Sequence, residues 1–256
     1  MKVYWRRFPW RWMSRGRYQR LRESQDLSER LQLQIQFLKQ LPEEMAGFMV
    51  AHLEESVAQL HQDLFVLWET GRKQGGFFVE VGACNGLLYS NTLLLERKFG
   101  WQGLLVEPAR KWHGELRKNR SCQISQSFVA GQGGQTVQFC ETEQGEFSTA
   151  LSLASLDRHA AQREAAIVYP VETISLTALL QKYSAPDRID YLSLDTEGSE
   201  LEILETFDFR RYDVRCITCE HNFTPKRDGI YRLLARYGYS RKYENLSCFD
   251  DWYFRA

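Results

Sequence analysis

The sequence predicts an α/β domain on a mostly parallel sheet, preceded by a helical extension. From residue 77 onward, short apolar runs alternate with helical segments, an order typical of βαβ units. The five clearest runs span residues 77–81, 103–107, 124–130, 189–195 and 214–220. Before residue 70, apolar residues instead recur at the spacing of amphipathic helices. Helices are therefore expected on both faces of the sheet.

Further strands are predicted at the sheet edges. Residues 136–140 and 168–174 look like additional strands or an insertion near one edge. Residues 238–246 and 248–256 are separated by a turn, and we expect them to close the sheet as an antiparallel pair.

Two segments precede the domain, which we place at 71–256. Residues 1–20 form an arm of arginines and aromatic residues without acids, which suits contact with an anionic membrane surface. A poorly ordered tail is the alternative. Residues 21–70 form a helical extension, in which Pro42 ends one predicted helix and a second runs from Glu43 to Trp68. Core packing or a homo-oligomer contact explains their apolar stripes.

Charge and hydropathy exclude several classes of function. Basic and acidic residues balance at 33 each, but eight basic residues precede the first acid, Glu23, so the remainder carries a formal −8. We therefore do not expect nucleic acid as a partner. No run approaches the ~18 apolar residues of a membrane span, and the start lacks the apolar core of a signal peptide. The sequence predicts a cytoplasmic protein, peripheral at the inner membrane surface if the arm binds lipid.

The six cysteines are few and are mostly embedded in apolar runs, so we expect reduced thiols. Cys216 and Cys219 have C-x-x-C spacing but lie in a strand, where positions three apart face opposite sides. A zinc site normally needs four convergent ligands, and this pair supplies two.

The first chemical motif is a glycine-containing loop after the first strand. Glycines four residues apart let the backbone approach a ligand closely. Their spacing differs from the G-x-G-x-x-G that holds a pyrophosphate, so a ligand without phosphates is favoured. An acid at Glu80 can bind the ammonium of S-adenosylmethionine, directly or through water. The predicted donor-binding residues here are Glu80, Gly82, Ala83, Cys84, Asn85, Gly86 and Asn91.

The next two strands supply further predicted contacts to the donor. Glu107, followed by Pro108, ends the second strand 21 residues beyond Gly86, and its carboxylate can accept both ribose hydroxyls. Ser127 and Phe128, at the end of the third strand, are expected to flank the adenine.

Acidic residues crowd the ends of two later strands. Residues 195–200 read DTEGSE and follow an apolar strand. Ser199 and Glu202 fit a capping box, which leaves Asp195 and Glu197 in the loop above the sheet. The following strand ends in Glu220 and His221. We expect these residues, Asp195 included, to lie beside the donor.

These motifs resemble the FkbM-type methyltransferase family over roughly residues 62–252. The matching stretches are QDLFVL (62–67), GGFFVEVGACNG (75–86), SNTLLLE (90–96), GWQGLLVEP (100–108), IDYLSLDTEGSELEIL (189–204), ITCEHN (217–222) and FDDWY (249–253). The resemblance implies a seven-stranded Rossmann-like methyltransferase fold, S-adenosylmethionine as donor, and O-methylation of sugars, glycans or polyketide hydroxyls. It assigns Glu80, Gly82, Cys84 and Gly86 to the donor loop, Glu107 to the ribose, and Asp195, Glu197, Gly198 and Glu200 to a D-x-E-G-x-E signature. Cys84 departs from the family, which often has Asn there.

The hypothesis for catalysis is general-base removal of the acceptor's proton by His221 or Asp195. Glu197 and Glu220 would orient the acceptor's other hydroxyls or hold the tautomer of His221. In a metal variant, Asp195, Glu197, Glu220 and His221 bind Mg²⁺. The acceptor is expected to be a small molecule or a glycan. Two alternatives remain open: a nicotinamide-dependent oxidoreductase, and a non-catalytic scaffold that docks on membranes or partners.

Overall fold

The structure is a computed structural model that describes residue 35 and residues 38–143, 145, 148–153 and 165–256. The predicted basic arm, and most of the first predicted helix, lie outside these residues. Contacts divide the chain into two compact units, residues 1–51 and 52–256. Helix α1 (Glu43–His52) begins directly after Pro42, as predicted. The described helices include none that is long and apolar enough to cross a membrane.

The prediction of one helix from Glu43 to Trp68 is wrong. Helix α1 ends at His52, and a second helix, α2 (Gln62–Glu69), begins ten residues later. The residue before α2, His61, has a left-handed backbone with φ 60°, which a continuous α-helix does not allow. The apolar periodicity continues through this break, so the sequence pattern did not reveal the break.

A seven-stranded sheet forms the centre of the second unit, as the family resemblance implied. The parallel strands are β1 (Phe77–Val81), β2 (Gln102–Val106), β3 (Gln123–Ser125), β8 (Arg188–Leu194) and β9 (Asp213–Glu220). Strands β10 (Ser240–Lys242) and β11 (Asp250–Phe254) form the predicted antiparallel pair. The order across the sheet is β10-β11-β9-β8-β1-β2-β3. Because neighbouring parallel strands end at one edge, residues after β1, β2, β8 and β9 converge there.

The helices pack on both faces of this sheet. Along β11, Trp252 stacks on Phe65 of α2 at 5.0 Å between ring centroids, while Tyr253 faces the opposite, larger core cluster. That cluster takes residues from α5 (Leu176–Lys182), α6 (Glu200–Glu205) and α7 (Lys226–Arg236). Helices α3 (Leu93–Phe99) and α4 (His113–Asn119) follow β1 and β2, with a 3₁₀ turn (Arg110–Trp112) before α4.

The expected single strand at residues 124–130 is two strands in different sheets. Strand β3 ends at Ser125, and β4 (Phe128–Val129) pairs instead with β7 (Ile167–Ile174) in a four-stranded sheet. Strands β5 (Thr136–Glu141) and β6 (Thr149–Ala150) complete it in the order β4-β7-β5-β6. This small sheet is the additional edge structure that the sequence predicted. The side chain of Ser125 explains the break, because its hydroxyl accepts from Ser127 N at 3.3 Å.

Candidate functional site

An open cleft of ≈ 1220 Å³ lies at the carboxyl edge of the parallel strands. It brings together most of the residues that the sequence singled out. Those that line it are Glu80, Gly82, Cys84, Asn91, Glu107, Pro108, Phe128, Asp195, Glu197 and Glu220. Five predicted residues do not line it: Ala83, Asn85, Gly86, Ser127 and His221.

The loop after β1 is held by close backbone contacts. Gly82 has φ +94°, and a Cβ there would lie 2.0 Å from the carbonyl oxygen of Asp195. Gly86 has φ +80°, and a Cβ would lie 2.6 Å from the side chain of Arg120. Both positions therefore require glycine. Between them, Cys84 also has a left-handed backbone, at φ 47°, a conformation in which Asn is enriched over most residues.

Asn85 shapes the loop rather than the cleft. Its Oδ1 accepts from the backbone N–H groups of Leu87 and Leu88 at 3.0 and 2.8 Å, and its Nδ2 donates to Glu115. Such a side-chain turn fixes the path of the chain between β1 and α3.

Glu80 is buried and surrounded by donors from its own chain. Its carboxylate accepts from Asn91 N at 2.7 Å and from the hydroxyls of Ser90 and Thr92, and Arg120 lies 3.7 Å away. These contacts tie the end of β1 to the segment that enters α3. Glu80 therefore positions the loop, and its acceptor capacity for a ligand's ammonium is largely occupied.

Asn91 faces the cleft with an acceptor that is free in this structure. Its Nδ2 donates to Ser193 Oγ at 3.0 Å. Its Oδ1 is buried and has no hydrogen-bond partner among the described residues. A buried carbonyl oxygen without a partner is costly, so this atom favours a ligand that donates a hydrogen bond.

Glu107 lies at the tip of β2, buried to 5% exposure. One oxygen accepts from Cys84 N at 2.8 Å and the other from Ala109 N at 2.7 Å. Burial nevertheless raises the pKa of Glu107 to about 8, with smaller contributions from the charges of Glu141 and Asp195. The two N–H groups fix the plane of the carboxyl, which suits it to receive a pair of hydroxyl donors.

Asp195 and Glu220 form a carboxyl pair where β8 and β9 end. Their side chains are hydrogen-bonded to each other. Burial raises the pKa of Asp195 to about 7 and raises the pKa of Glu220 well above its ordinary value, with the charge of Asp195 as the next cause. Two adjacent carboxylates repel when both are ionised, so this arrangement favours a state in which the pair shares one proton.

Glu197 adds a third carboxyl group to this pair. It is buried and has a left-handed backbone at φ 56°, and its carbonyl accepts from Thr149 Oγ1 at 3.1 Å. One oxygen each from Asp195, Glu197 and Glu220 lie within 4.8 Å of one another. Carboxylate oxygens are the ligands that Mg²⁺ takes from proteins. His221, the fourth ligand of the predicted metal variant, contributes no atom to this group.

The capping box predicted for Ser199 and Glu202 is wrong. Ser199 makes no side-chain cap and donates instead to Thr196 Oγ1 at 2.8 Å. Glu200 organises the loop, because its Oε1 accepts from Thr196 N, Thr196 Oγ1 and Gly198 N at 2.8–3.0 Å. Glu202 forms an ion pair with Lys226 at 2.5 Å. The Ser199 hydroxyl therefore stabilises the loop before α6 and does not cap the helix.

His221 lies away from the cleft, in contrast to the prediction that it would approach the donor's methyl group. It follows Glu220 by one residue, and successive side chains of an extended segment face opposite sides. Its Nδ1 accepts from Phe223 N at 3.0 Å, and its Nε2 lies 3.8 Å from Asp251. Burial lowers the pKa of His221. We therefore withdraw its assignment as a general base.

A sequence profile of the methyltransferase FkbM domain matches residues 80–241, more than half of the chain. The chain belongs to the FkbM methyltransferase domain family. Membership implies S-adenosylmethionine as the methyl donor, and the strand order above is the Rossmann-like arrangement expected for such an enzyme. No curated protein matches the chain.

Solved methyltransferase structures resemble this FkbM chain at low sequence identity. Methyltransferase FkbM from Methylobacillus flagellatus KT is 13% identical, with a TM-score of 0.43 over 90% of this chain and 60% of its own. Precorrin-6y C5,15-methyltransferase from Geobacter metallireducens GS-15 is 11% identical, with a TM-score of 0.39 over 76% and 87%. The chain thus spans three fifths of the Methylobacillus protein's length.

Ser127 and Phe128 line different cavities in this FkbM domain. Phe128 lines the cleft, whereas Ser127 lines a separate surface cavity beside Arg110 and Lys182. The division follows from the break between β3 and β4, which the apolar run had hidden.

Sequence reasoning missed several residues that line the cleft. They are Gln59, Val81, Leu88, Tyr89, Val129, Phe139, Gly145, Ser148, Ser193, Thr196 and Phe249. Ser193 could have been predicted from the sequence, since a polar residue inside the apolar strand YLSL is unusual. Val81 is the last residue of β1, and the others reach the cleft from loops and from the small sheet, where no periodicity marks their position.

Proposed function

We propose that the chain transfers a methyl group from S-adenosylmethionine to a hydroxyl oxygen of a sugar, glycan or related natural product. The observation that carries the proposal is the Asp195–Glu220 carboxyl pair, which opens into the same cleft as the donor loop. An alcohol must give up its proton to a base as it is methylated. A carboxyl pair in which one group is ionised provides such a base.

The residues of the cleft fit the donor at four points. The backbone of Gly82 lines the cleft, where it can approach the donor closely. Asn91 Oδ1 is a buried acceptor that the donor's ammonium would satisfy. Glu107 presents a carboxyl group held in one plane, which suits the two ribose hydroxyls. Phe128 and Pro108 offer apolar surface for the adenine.

The chemistry then divides between donor and protein. When bound, S-adenosylmethionine supplies an electrophilic methyl group on a sulfonium. Asp195 accepts the proton that the acceptor hydroxyl loses, and its raised pKa matches that task near neutral pH. Glu220 stays protonated and donates a hydrogen bond to Asp195, which orients the carboxylate. Glu197 orients the acceptor's other hydroxyls.

Two experiments test this proposal. Calorimetry compares S-adenosylhomocysteine with NAD, and we expect only the former to bind. Transfer of a tritiated methyl group to candidate glycans and polyols then tests catalysis, with mass spectrometry to find a gain of one methyl. Binding of NAD alone favours the oxidoreductase alternative, and binding of neither ligand favours the scaffold. Binding of S-adenosylhomocysteine with methylation of a nitrogen or carbon acceptor would contradict O-methylation.

Mg²⁺, membrane contact through residues 1–20 and homo-oligomerisation stay predictions. The arm lies outside the described residues. At Asp195, a proton offsets the repulsion between the carboxyl groups as Mg²⁺ would. We propose a small-molecule or glycan acceptor and no nucleic acid.

A further inference from the structure

Part of the cleft extends beyond the place assigned to the donor. Glu107 and Gly82 follow β2 and β1, while Asp195 and Glu220 follow β8 and β9. Neighbouring strands lie about 4.8 Å apart, so the tips of β2 and β9 are separated by roughly 14 Å. A donor whose ribose lies at Glu107 reaches Asp195 with its sulfonium end. The space past Asp195 is therefore left for the acceptor.

Three residues that the donor does not use surround this space. They are Gln59 before α2, Tyr89 before α3, and Phe249 before β11. All three line the cleft and also a smaller recess of ≈ 280 Å³ that continues from it, which Glu220 and Asp195 line as well. The recess and the carboxyl pair therefore share walls.

Tyr89 is held in an unusual conformation for an aromatic residue. Its φ is +54°, in the left-handed region, and its side chain is 46% exposed. Left-handed backbone costs energy for a bulky residue and is found where the surroundings enforce it, often at ligand sites. The turn made by Asn85 and the bonds of Glu80 to Asn91 enforce it here. The backbone thus presents the ring at the mouth of the cleft.

Phe249 is fixed by backbone hydrogen bonds. Its carbonyl oxygen accepts from the N–H groups of His221 and Asn222 at 2.9 and 3.1 Å, which ties the residue to the end of β9. Gln59 is exposed and offers an amide that both donates and accepts hydrogen bonds.

We propose that Tyr89, Phe249 and Gln59 form the acceptor subsite, and that it takes one hydroxylated six-membered ring. This inference rests on the proposed function. Such a ring has an apolar C–H face that packs on an aromatic side chain and a polar rim of hydroxyls. Tyr89 and Phe249 contact the C–H surface, and Gln59 binds a rim hydroxyl. The hydroxyl nearest Asp195 is then the one that is methylated.

The experiment measures acceptor binding without turnover. The full chain is saturated with S-adenosylhomocysteine, and saturation-transfer NMR is used to titrate methyl β-D-glucopyranoside, methyl α-L-rhamnopyranoside and myo-inositol. D-Sorbitol, which has hydroxyls but no ring, is the control ligand. Tyr89→Asn removes the aromatic ring and tolerates the left-handed backbone, whereas Tyr89→Phe keeps the aromatic ring. Tyr231→Ala is the matched control, since Tyr231 is 41% exposed but does not line the cleft.

The expected result is binding of at least one ring ligand and weaker binding of sorbitol. Tyr89→Asn should weaken the ring ligand roughly three- to tenfold, with Tyr89→Phe and Tyr231→Ala within about twofold. Affinity for S-adenosylhomocysteine should not change in any variant. Equal effects of Tyr89→Asn and Tyr231→Ala, or no binding of any ring ligand to the loaded wild type, would overturn the inference while the donor half of the proposed function stands. Failure to bind S-adenosylhomocysteine would overturn both.

Discussion

The carbonyl oxygen of Asp195 occupies the space in which a side chain on Gly82 would begin, 2.0 Å from the position of its Cβ. The backbone N–H of Asp195 donates to Val81 O at 3.0 Å, so the contact continues the pairing of β1 with β8. The donor loop and the acid that ends β8 are consequently one rigid unit. Displacement of either displaces the other.

Gly82→Ala is expected to abolish binding of S-adenosylhomocysteine and to destabilise the fold by about 2 kcal/mol or more, because φ is +94° and the carbonyl of Asp195 blocks the methyl group. Calorimetry and thermal unfolding measure the two effects. Gly114→Ala is the control: Gly114 lies in α4 with nothing within 4 Å of an added Cβ. That change should leave stability the same or higher by up to ~1 kcal/mol. Unchanged donor affinity in Gly82→Ala would contradict the role of the loop.

Asp195→Asn should lower kcat by about 100- to 10,000-fold and leave S-adenosylhomocysteine affinity within about threefold. In the wild type, kcat should rise with pH through about 7, because Asp195 accepts a proton only when ionised and its pKa is raised to about 7. Glu220→Gln should stay within about threefold at pH 7, since the amide N–H can donate to Asp195 in place of the protonated carboxyl that we propose. Radiometric assays from pH 5.5 to 9 measure these profiles, with the exposed Asp208→Asn as control. A flat profile in the wild type would exclude Asp195 as the base.

Donor affinity should itself depend on pH through Glu107. Its pKa is raised to about 8, so the carboxyl is largely protonated at pH 7. Ribose hydroxyls donate best to the ionised form, so affinity for S-adenosylhomocysteine should increase as pH rises from 7 to 9, with release of a proton. Glu107→Gln should weaken binding about tenfold or more and remove this pH dependence. Calorimetry in buffers of different ionisation enthalpy measures the proton, with Glu202→Gln as control. No proton release in the wild type would argue against the ribose contact.

The sequence was sufficient for the sheet because each strand carries a local apolar pattern and each strand end carries a distinctive residue. Glu80, Glu107, Asp195 and Glu220 follow such strands, and parallel strands bring their ends to one edge. The break between β3 and β4 was not visible, because one apolar run supplies strands to two sheets.

The side chains of the loops were less predictable. Whether His221 faced the cleft depended on a single residue of register after Glu220, which the sequence does not determine. Tyr89 reaches the cleft through a turn whose backbone N–H groups donate to Asn85 and Glu80, and these bonds leave no mark on the apolar pattern. The role of Glu200, in place of Glu202, in organising the loop before α6 was not predictable either, because it depends on hydrogen bonds that the apolar pattern does not reveal.

His221→Ala should keep kcat within about threefold of the wild type, because the imidazole lies outside the cleft. Stability should fall by ~1–3 kcal/mol, since Phe223 N loses its acceptor and a buried space opens beside Asp251. The methyl-transfer assay and thermal unfolding separate the two effects. A loss of 100-fold or more in kcat, with unchanged donor affinity, would restore His221 as the base.

Exhaustive chelation should leave methyl transfer intact. The carboxyl groups of Asp195, Glu197 and Glu220 lie close enough to share a cation, but a proton shared between Asp195 and Glu220 would offset the same repulsion. Activity is measured after dialysis against EDTA, with and without added Mg²⁺, and Glu197→Gln is assayed beside it. If the proton is the compensating charge, EDTA has no effect and Glu197→Gln alters chiefly the KM of the acceptor. If a cation is the compensating charge, EDTA abolishes turnover and Mg²⁺ restores it. Glu197→Gln then raises the Mg²⁺ concentration that is needed to restore turnover. The second pattern would replace the shared proton with a metal-bound hydroxyl.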